Sequence, residues 1–353
     1  MMKIITVLLF IILLSMLIFS PAAAENQIEI ISAFSDENSM DLTLRSHDQI
    51  NGSIIFSLAH DNEILESQTI EMDIIPDKET TRVIFWDKHH FQFRVYDATA
   101  RVYNNGELAA EAIDSFSYGF ETLPRFQIVD LSPTSSGTSV LLTPRSVNQP
   151  GVADFSFQLI KEGEIIDTQI KENIPVMQTI QVSINWPILL EDHTGYMVRL
   201  KSFSHTPKTI TTYSTGFTSG QDVEIDETDV DVDDFGVSVT LIGKSQVPFD
   251  GIVEVELQQD DTHYKTFSGK PDILTSGRDD TVGIIWDDLD PGAYKVFIKA
   301  KTLDGEILDR YETVLLIPEK VNPVSTTEKP KTPGFSAVMD VSMIILTFIF
   351  GKR

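Results

Sequence analysis

The chain has three tryptophans, Trp86, Trp186 and Trp286, spaced one hundred residues apart. A period of that length marks a repeated domain, because about 100 residues can close a hydrophobic core unaided by staples. The flanks repeat as well. Apolar runs precede each tryptophan: Val83-Ile84-Phe85, Val182-Ser183-Ile184-Asn185 and Val282-Gly283-Ile284-Ile285. About 35 residues upstream, Gly52, Gly151 and Gly251 each open a strand-like run. Downstream, after a turn, come Phe91-Gln92-Phe93-Arg94-Val95, Tyr196-Met197-Val198-Arg199-Leu200 and Tyr294-Lys295-Val296-Phe297-Ile298.

These runs alternate apolar and polar residues, most clearly in Val253-Glu254-Val255-Glu256-Leu257. A period of two buries one face of a strand and leaves the other wet. No helical period is sustained between Glu25 and Pro318. Short strands divided by turn signals, recurring every hundred residues, predict an all-β chain of three tandem immunoglobulin-like β-sandwiches. The boundaries read as 1–24 for a signal peptide and 25–122, 123–219 and 220–317 for the sandwiches. A Pro/Thr-rich stalk at 318–332 and a terminal apolar segment at 333–353 follow. Links of a few residues predict a semi-stiff rod of about 100 Å, from strands rising about 3.3 Å per residue. A tryptophan that recurs at one repeat position is a core residue rather than a sugar-stacking platform.

The pattern of apolar strand, tryptophan, turn and Gly-x-Tyr resembles fibronectin type III or CARDB-like modules on prokaryotic surfaces. That resemblance implies a corner tyrosine at Tyr196 and Tyr294, with Phe91 and Phe93 standing in the first unit.

With 53 Asp+Glu against 27 Lys+Arg, the formal net charge is −26, which repels nucleic-acid phosphates. No nucleic-acid partner is expected. The absence of cysteine removes disulfides, thiolate metal sites and cysteine nucleophiles. No nucleophile–base spacing, zinc motif or phosphate loop appears, so no catalytic residue is assigned and the chain is not expected to be an enzyme.

Both ends carry addresses. Met-Met-Lys, an apolar run from Ile4 to Phe19 and Ala22-Ala23-Ala24 describe a secretory signal cleaved between Ala24 and Glu25. The stalk would reach about 45 Å at ~3.1 Å per residue. Behind it stand Pro333-Gly334-Phe335, an apolar stretch from Ser336 to Phe350 broken by Asp340, and a terminal Lys352-Arg353. This arrangement resembles the archaeal PGF-CTERM sorting tail. The resemblance implies that Pro333, Gly334 and Phe335 are recognised by an archaeosortase, which replaces the tail with a membrane lipid. A retained C-terminal membrane anchor is the alternative, and both place the protein outside the cell.

Asp229, Asp231 and Asp233 have the alternate spacing of a calcium loop, but Asp234 and Thr240 occupy its glycine and glutamate positions. They predict either a calcium site at a sandwich junction or a solvated acidic loop. Apart from that calcium alternative, no cofactor is expected. Asp287, Asp288 and Asp290 form a weaker cluster. His89-His90 reads as loop histidines, since neighbouring strand residues point to opposite faces. Asn51-Gly52-Ser53 is an N-glycosylation sequon. Together these features predict a non-enzymatic surface spacer, adhesion or envelope protein with a surface-protein or glycan partner. A carbohydrate- or peptide-binding accessory subunit is the alternative.

Overall fold

The computed structural model describes residues 28–319 apart from 88–90, 120–121, 147 and 288. Three β-sandwiches follow one another, each with its own core. The first is built from β1 (Ile28–Ser35), β2 (Ser39–Ser46), β3 (Ile50–His60), β4 (Glu63–Ile74), β5 (Thr80–Phe85), β6 (Arg94–Asn104) and β7 (Glu107–Tyr118). Its sheets run β1-β2-β5 and β4-β3-β6-β7, all antiparallel. The second repeats the plan with β8 (Phe126–Pro133), β9 (Gly137–Pro144), β10 (Gly151–Lys161), β11 (Glu164–Val176), β12 (Ile180–Asn185), β13 (Gly195–His205) and β14 (Lys208–Thr218).

In the third unit the first strand is divided into β15 (Val223–Ile225) and β16 (Asp231–Val232) by a 3₁₀ turn at Glu227–Asp229. It continues as β17 (Gly236–Gly243), β18 (Ile252–Gln259), β19 (Thr262–Gly269), β20 (Asp279–Ile285), β21 (Gly292–Lys301) and β22 (Ile307–Ile317). Hairpins turn on Asp61-Asn62, Asn105-Gly106, Glu162-Gly163 and Asp260-Asp261, all at positive φ. That conformation matches the right-handed twist of the flanking strands.

The alternation seen in the sequence becomes the two faces of each strand. Ile54, Phe56 and Leu58 of β3 point into the first core, Phe155, Phe157 and Leu159 of β10 into the second, and Val253, Val255 and Leu257 of β18 into the third. Trp86, Trp186 and Trp286 are buried at one end of their units. The opening glycines have a steric reason. A Cβ on Gly52 would stand 2.1 Å from the Tyr103 carbonyl oxygen, and one on Gly251 would stand 2.0 Å from that of Lys301. Both oxygens belong to the neighbouring central strand, so the close backbone approach excludes any side chain there.

The corner tyrosines form a set of three. The Tyr96 hydroxyl accepts from the Gln92 amide at 2.8 Å, that of Tyr196 accepts from Glu191 at 3.1 Å, and that of Tyr294 donates to the Asp290 carbonyl at 2.8 Å. The first unit therefore uses Tyr96 in this role, not Phe91 or Phe93, and β6 begins only at Arg94. Trp86 and Tyr96 are ten residues apart, as are Trp186 and Tyr196. Burial pushes the Tyr294 hydroxyl up to about 12.

The predicted rod is replaced by a different arrangement. Edge strand β5 pairs with edge strand β11 through Arg82 and Glu164, and the Val83 amide donates to the Gly163 carbonyl at 2.7 Å. The seven-stranded sheet that results runs β1-β2-β5-β11-β10-β13-β14 and folds back, so that β2 faces β13 and β14. The first sandwich lies along the side of the second. The third joins the second end to end: the Gln246 amide donates to Ser135 at 3.0 Å, its side chain donates to the Trp186 carbonyl at 2.7 Å, and Val247 enters the second core. Small-angle scattering on the folded region should therefore give a maximum dimension of roughly 70 Å, two sandwich lengths at about 3.3 Å per strand residue. A value near 100 Å would mean that the lateral contact opens in solution.

Candidate functional site

The outward faces of β2 and β13 would be solvent faces in isolated sandwiches. Here they close on one another and bury charge. Asp41 of β2 alternates with Met40 and Leu42, so their burial in the first core directs its carboxylate toward the second unit. It accepts from Arg199 Nη2 at 2.6 Å and from Lys201 Nζ at 3.0 Å. Lys201 also lies 3.9 Å from the centre of the Phe34 ring, a cation–π contact. Burial pushes the Lys201 ammonium below the usual lysine range, while Asp41 draws it upward and Arg199 pushes it further down.

The turn between β1 and β2 fixes the other end of the seam. Asp36 accepts from its own turn at the Asn38 and Ser39 amides and, across the seam, from the Thr212 amide (2.8 Å) and hydroxyl. Asn38 Nδ2 donates back to the Thr212 carbonyl at 2.8 Å. Beside the Asp41 cluster lies a polar cavity of 410 Å³ lined by hydroxyls, among them Thr43, Thr81, Ser156 and Thr168.

A second, more apolar cleft of 710 Å³ opens between the same two units. Ile70, Phe85, Ile160, Met197 and Phe217 line it, with Gln68 and Glu162 as polar members. Gly195 and Gly216 leave bare backbone on its wall, and a Cβ on Gly195 would meet nothing within 4 Å. Bare strand glycines of this kind allow close approach of a ligand.

The acidic run takes three separate local roles. Asp229 accepts from the Thr240 hydroxyl, and Asp231 is exposed on β16 opposite Ser238. Asp233 accepts from the Phe235 and Gly236 amides at 2.8 and 2.9 Å. Among the described residues no group of three His, Asp or Glu side chains is placed to hold a metal ion. Asp233 occupies the turn position filled by Asp36 in the first unit and Thr134 in the second. In each unit the amide of that residue donates three positions on, to Ser39, Gly137 or Gly236. Asp290 accepts from Tyr264, Asp287 lies in the loop after Trp286, and Asp288 lies outside the described residues. Asn51 is exposed on β3. Ala24, Glu25, His89, His90, Pro333, Gly334 and Phe335 lie outside the described residues.

No family model and no curated protein matches the sequence. Among solved structures, the FN1–FN3 domains of chicken CNTN1 match over 82% of this chain and 97% of that one, at 11% identity and a TM-score of 0.23. Dimeric latent PorU from Porphyromonas gingivalis matches over 82% of this chain at 10% identity and a TM-score of 0.21. The chain spans 34% of that protein's length. The immunoglobulin-like sandwich fold of the present chain rests on its own sheet order and its three cores.

The seam was not legible as a site in the sequence. Asp41, Arg199 and Lys201 alternate with core residues as any wet strand face does. One signal was present: Arg199 and Lys201 are two cations on one face of one strand in a chain of net charge −26. Asp41→Ala leaves both buried and unbalanced and should cost about 3–5 kcal/mol. Lys201→Met removes a desolvated cation while Asp41 keeps Arg199, and should cost less than about 1.5 kcal/mol as a near volume-conserving exchange. Thermal melting of both variants checks the contrast, and equal losses would contradict it. The sign for pH follows from the lowered Lys201 value: the unfolded chain binds that proton more tightly, so this group adds stability as pH rises toward 10.5. In Lys201→Met that increment should vanish.

Proposed function

We propose that this chain is a non-catalytic surface protein whose first two sandwiches form a fixed head, carried on the third and attached to the cell at its C-terminus. The observation that carries this proposal is the seam. Its buried charges are engaged in holding two domains at one angle: Asp41 bonds Arg199 and Lys201 across the contact, and Asp36 bonds Thr212. Such an arrangement suits a protein that presents surface at a set geometry. The course of the chain supports attachment at the far end. Ile317 pairs with Gly292, beside the Trp286 end of the third unit, whereas Val223 pairs with Gly243 at the end that meets the second. The last described strand thus ends on the side of the third unit away from the head.

The Pro333-Gly334-Phe335 tail, the basic terminus and the N-terminal signal support export and lipid attachment by an archaeosortase. Mass spectrometry of both termini on protein from native membranes tests this. A start at Glu25, loss of the segment from Pro333 to Arg353 and an added lipid are the expected result. A chain still ending in Arg353 would leave a directly inserted anchor and remove the sortase from the account.

The apolar cleft favours a second reading, a binding subunit for glycans or extended peptides. Gly195→Trp fills the cleft from a position with room for a side chain. If the cleft binds, the variant should lose retention on glycan or peptide arrays at least tenfold with its melting point unchanged. Equal retention would assign binding elsewhere.

A further inference from the structure

The turn after the first strand is a docking element in two of the three units. In the first unit, Asp36 and Asn38 seat on Thr212 of β14. In the second, the Ser135 carbonyl accepts from Gln246, and the Ser135 hydroxyl accepts from the Gly220 amide. The third unit has the same turn, with the same hydrogen bonds to Asp233 and the same Trp286 amide donating to the Phe235 carbonyl. Its surface chemistry differs. Phe235 stands where the first unit has Asn38 and the second Ser136. Ile285, opposite Gly236, stands where they have Phe85 and Asn185. Asn38 is 6% exposed, held against the second unit, whereas Phe235 is 71% and Ile285 84% exposed. Two large apolar side chains therefore adjoin on the one docking turn that meets no following unit among the described residues.

The opposite partner surface is open too. The outward face of β13 and β14 receives the first unit through Arg199, Lys201 and Thr212. The equivalent face of the first unit, on β6 and β7, carries Thr99, Arg101 and Glu111 at those positions. Ile113, where β14 has Ser214, is 64% exposed, and Val95, where β13 has Gly195, is 59% exposed. Phe235 on the presenting turn and Val95 and Ile113 on the receiving face are large apolar residues where the docked units have small or polar ones, at opposite ends of the chain.

We propose that the third sandwich of one copy docks through Phe235 and Ile285 onto the β6–β7 face of the first sandwich of a second copy, repeating the contact between the first and second units. A contact of this kind is heterologous, so it propagates into a head-to-tail row and does not stop at a dimer. The row does not depend on how the C-terminus is attached.

The chain has no cysteine, which makes site-directed cross-linking clean. Asp234→Cys and Glu111→Cys are introduced singly into two differently tagged full-length chains, co-expressed, and treated with a short bismaleimide in the membrane fraction. The expected product is a covalent dimer carrying both tags. It should fall at least tenfold when Phe235→Asp and Ile285→Asp are added to the Asp234→Cys chain, and equally when Ile113→Asp is added to the other. All three positions are exposed, and unchanged melting confirms the fold. Lack of a mixed-tag dimer, products of Asp234→Cys with itself alone, or a yield unaffected by the aspartates would overturn the proposal.

Discussion

A β-sandwich buries the inner faces of its sheets and leaves the outer faces to water, and what covers an outer face decides how sandwiches assemble. Here the decisive contact is Asp41 with Arg199 and Lys201. A buried ion pair adds little net stability, because desolvation offsets the attraction, but a single unpaired member is costly. The contact thus penalises any other packed register that would bury one of these charges without its partner more than it rewards this one. The pairing of β5 with β11 and the Asp36–Thr212 bonds are made in the same register as the Asp41 contact.

The docking turn shows how one local motif serves different ends. A side-chain oxygen at its first position accepts from backbone amides of the turn, two each for Asp36 and Asp233 and one, from Ser136, for Thr134. The neighbours are then free to vary. Asn38 makes the turn a polar contact, Ser135 makes it a hydrogen-bonded splice with the third unit, and Phe235 makes it an apolar tip. Trp286 follows the same logic. Trp86 donates to the Ser35 hydroxyl and Trp186 to the Thr134 carbonyl, but Val232 stands at the Ser35 position, and Trp286 Nε1 is buried without a partner among the described residues.

The all-β class and the repeated sandwich were legible because they rest on local period and on burial within one unit. Alternation in β18 names its core face directly, and a tryptophan every hundred residues marks equivalent core positions. In the first unit Phe91 and Phe93 supply an aromatic-led run just upstream of the corner Tyr96; its ten-residue distance from Trp86, shared by Trp186 and Tyr196, and its hydrogen bond mark it out. The acidic run suggested a shared ion because its spacing alternates. Yet the chain passes from a 3₁₀ turn to a strand to a turn across those residues: Asp229 meets Thr240, Asp233 meets the amides of its own turn, and Asp231 lies exposed between them.

By itself the sequence determined the strands, their inner faces, the charge of −26 and the buried place of each tryptophan. Tertiary structure alone decided that the first two units lie side by side, that Val247 of one repeat completes the core of another, and that Arg199 is buried rather than wet. The physical reason is range. Period and turn chemistry act over a few residues, whereas Asp41 and Arg199 are 158 residues apart, and nothing local to either strand records which outer face will be covered.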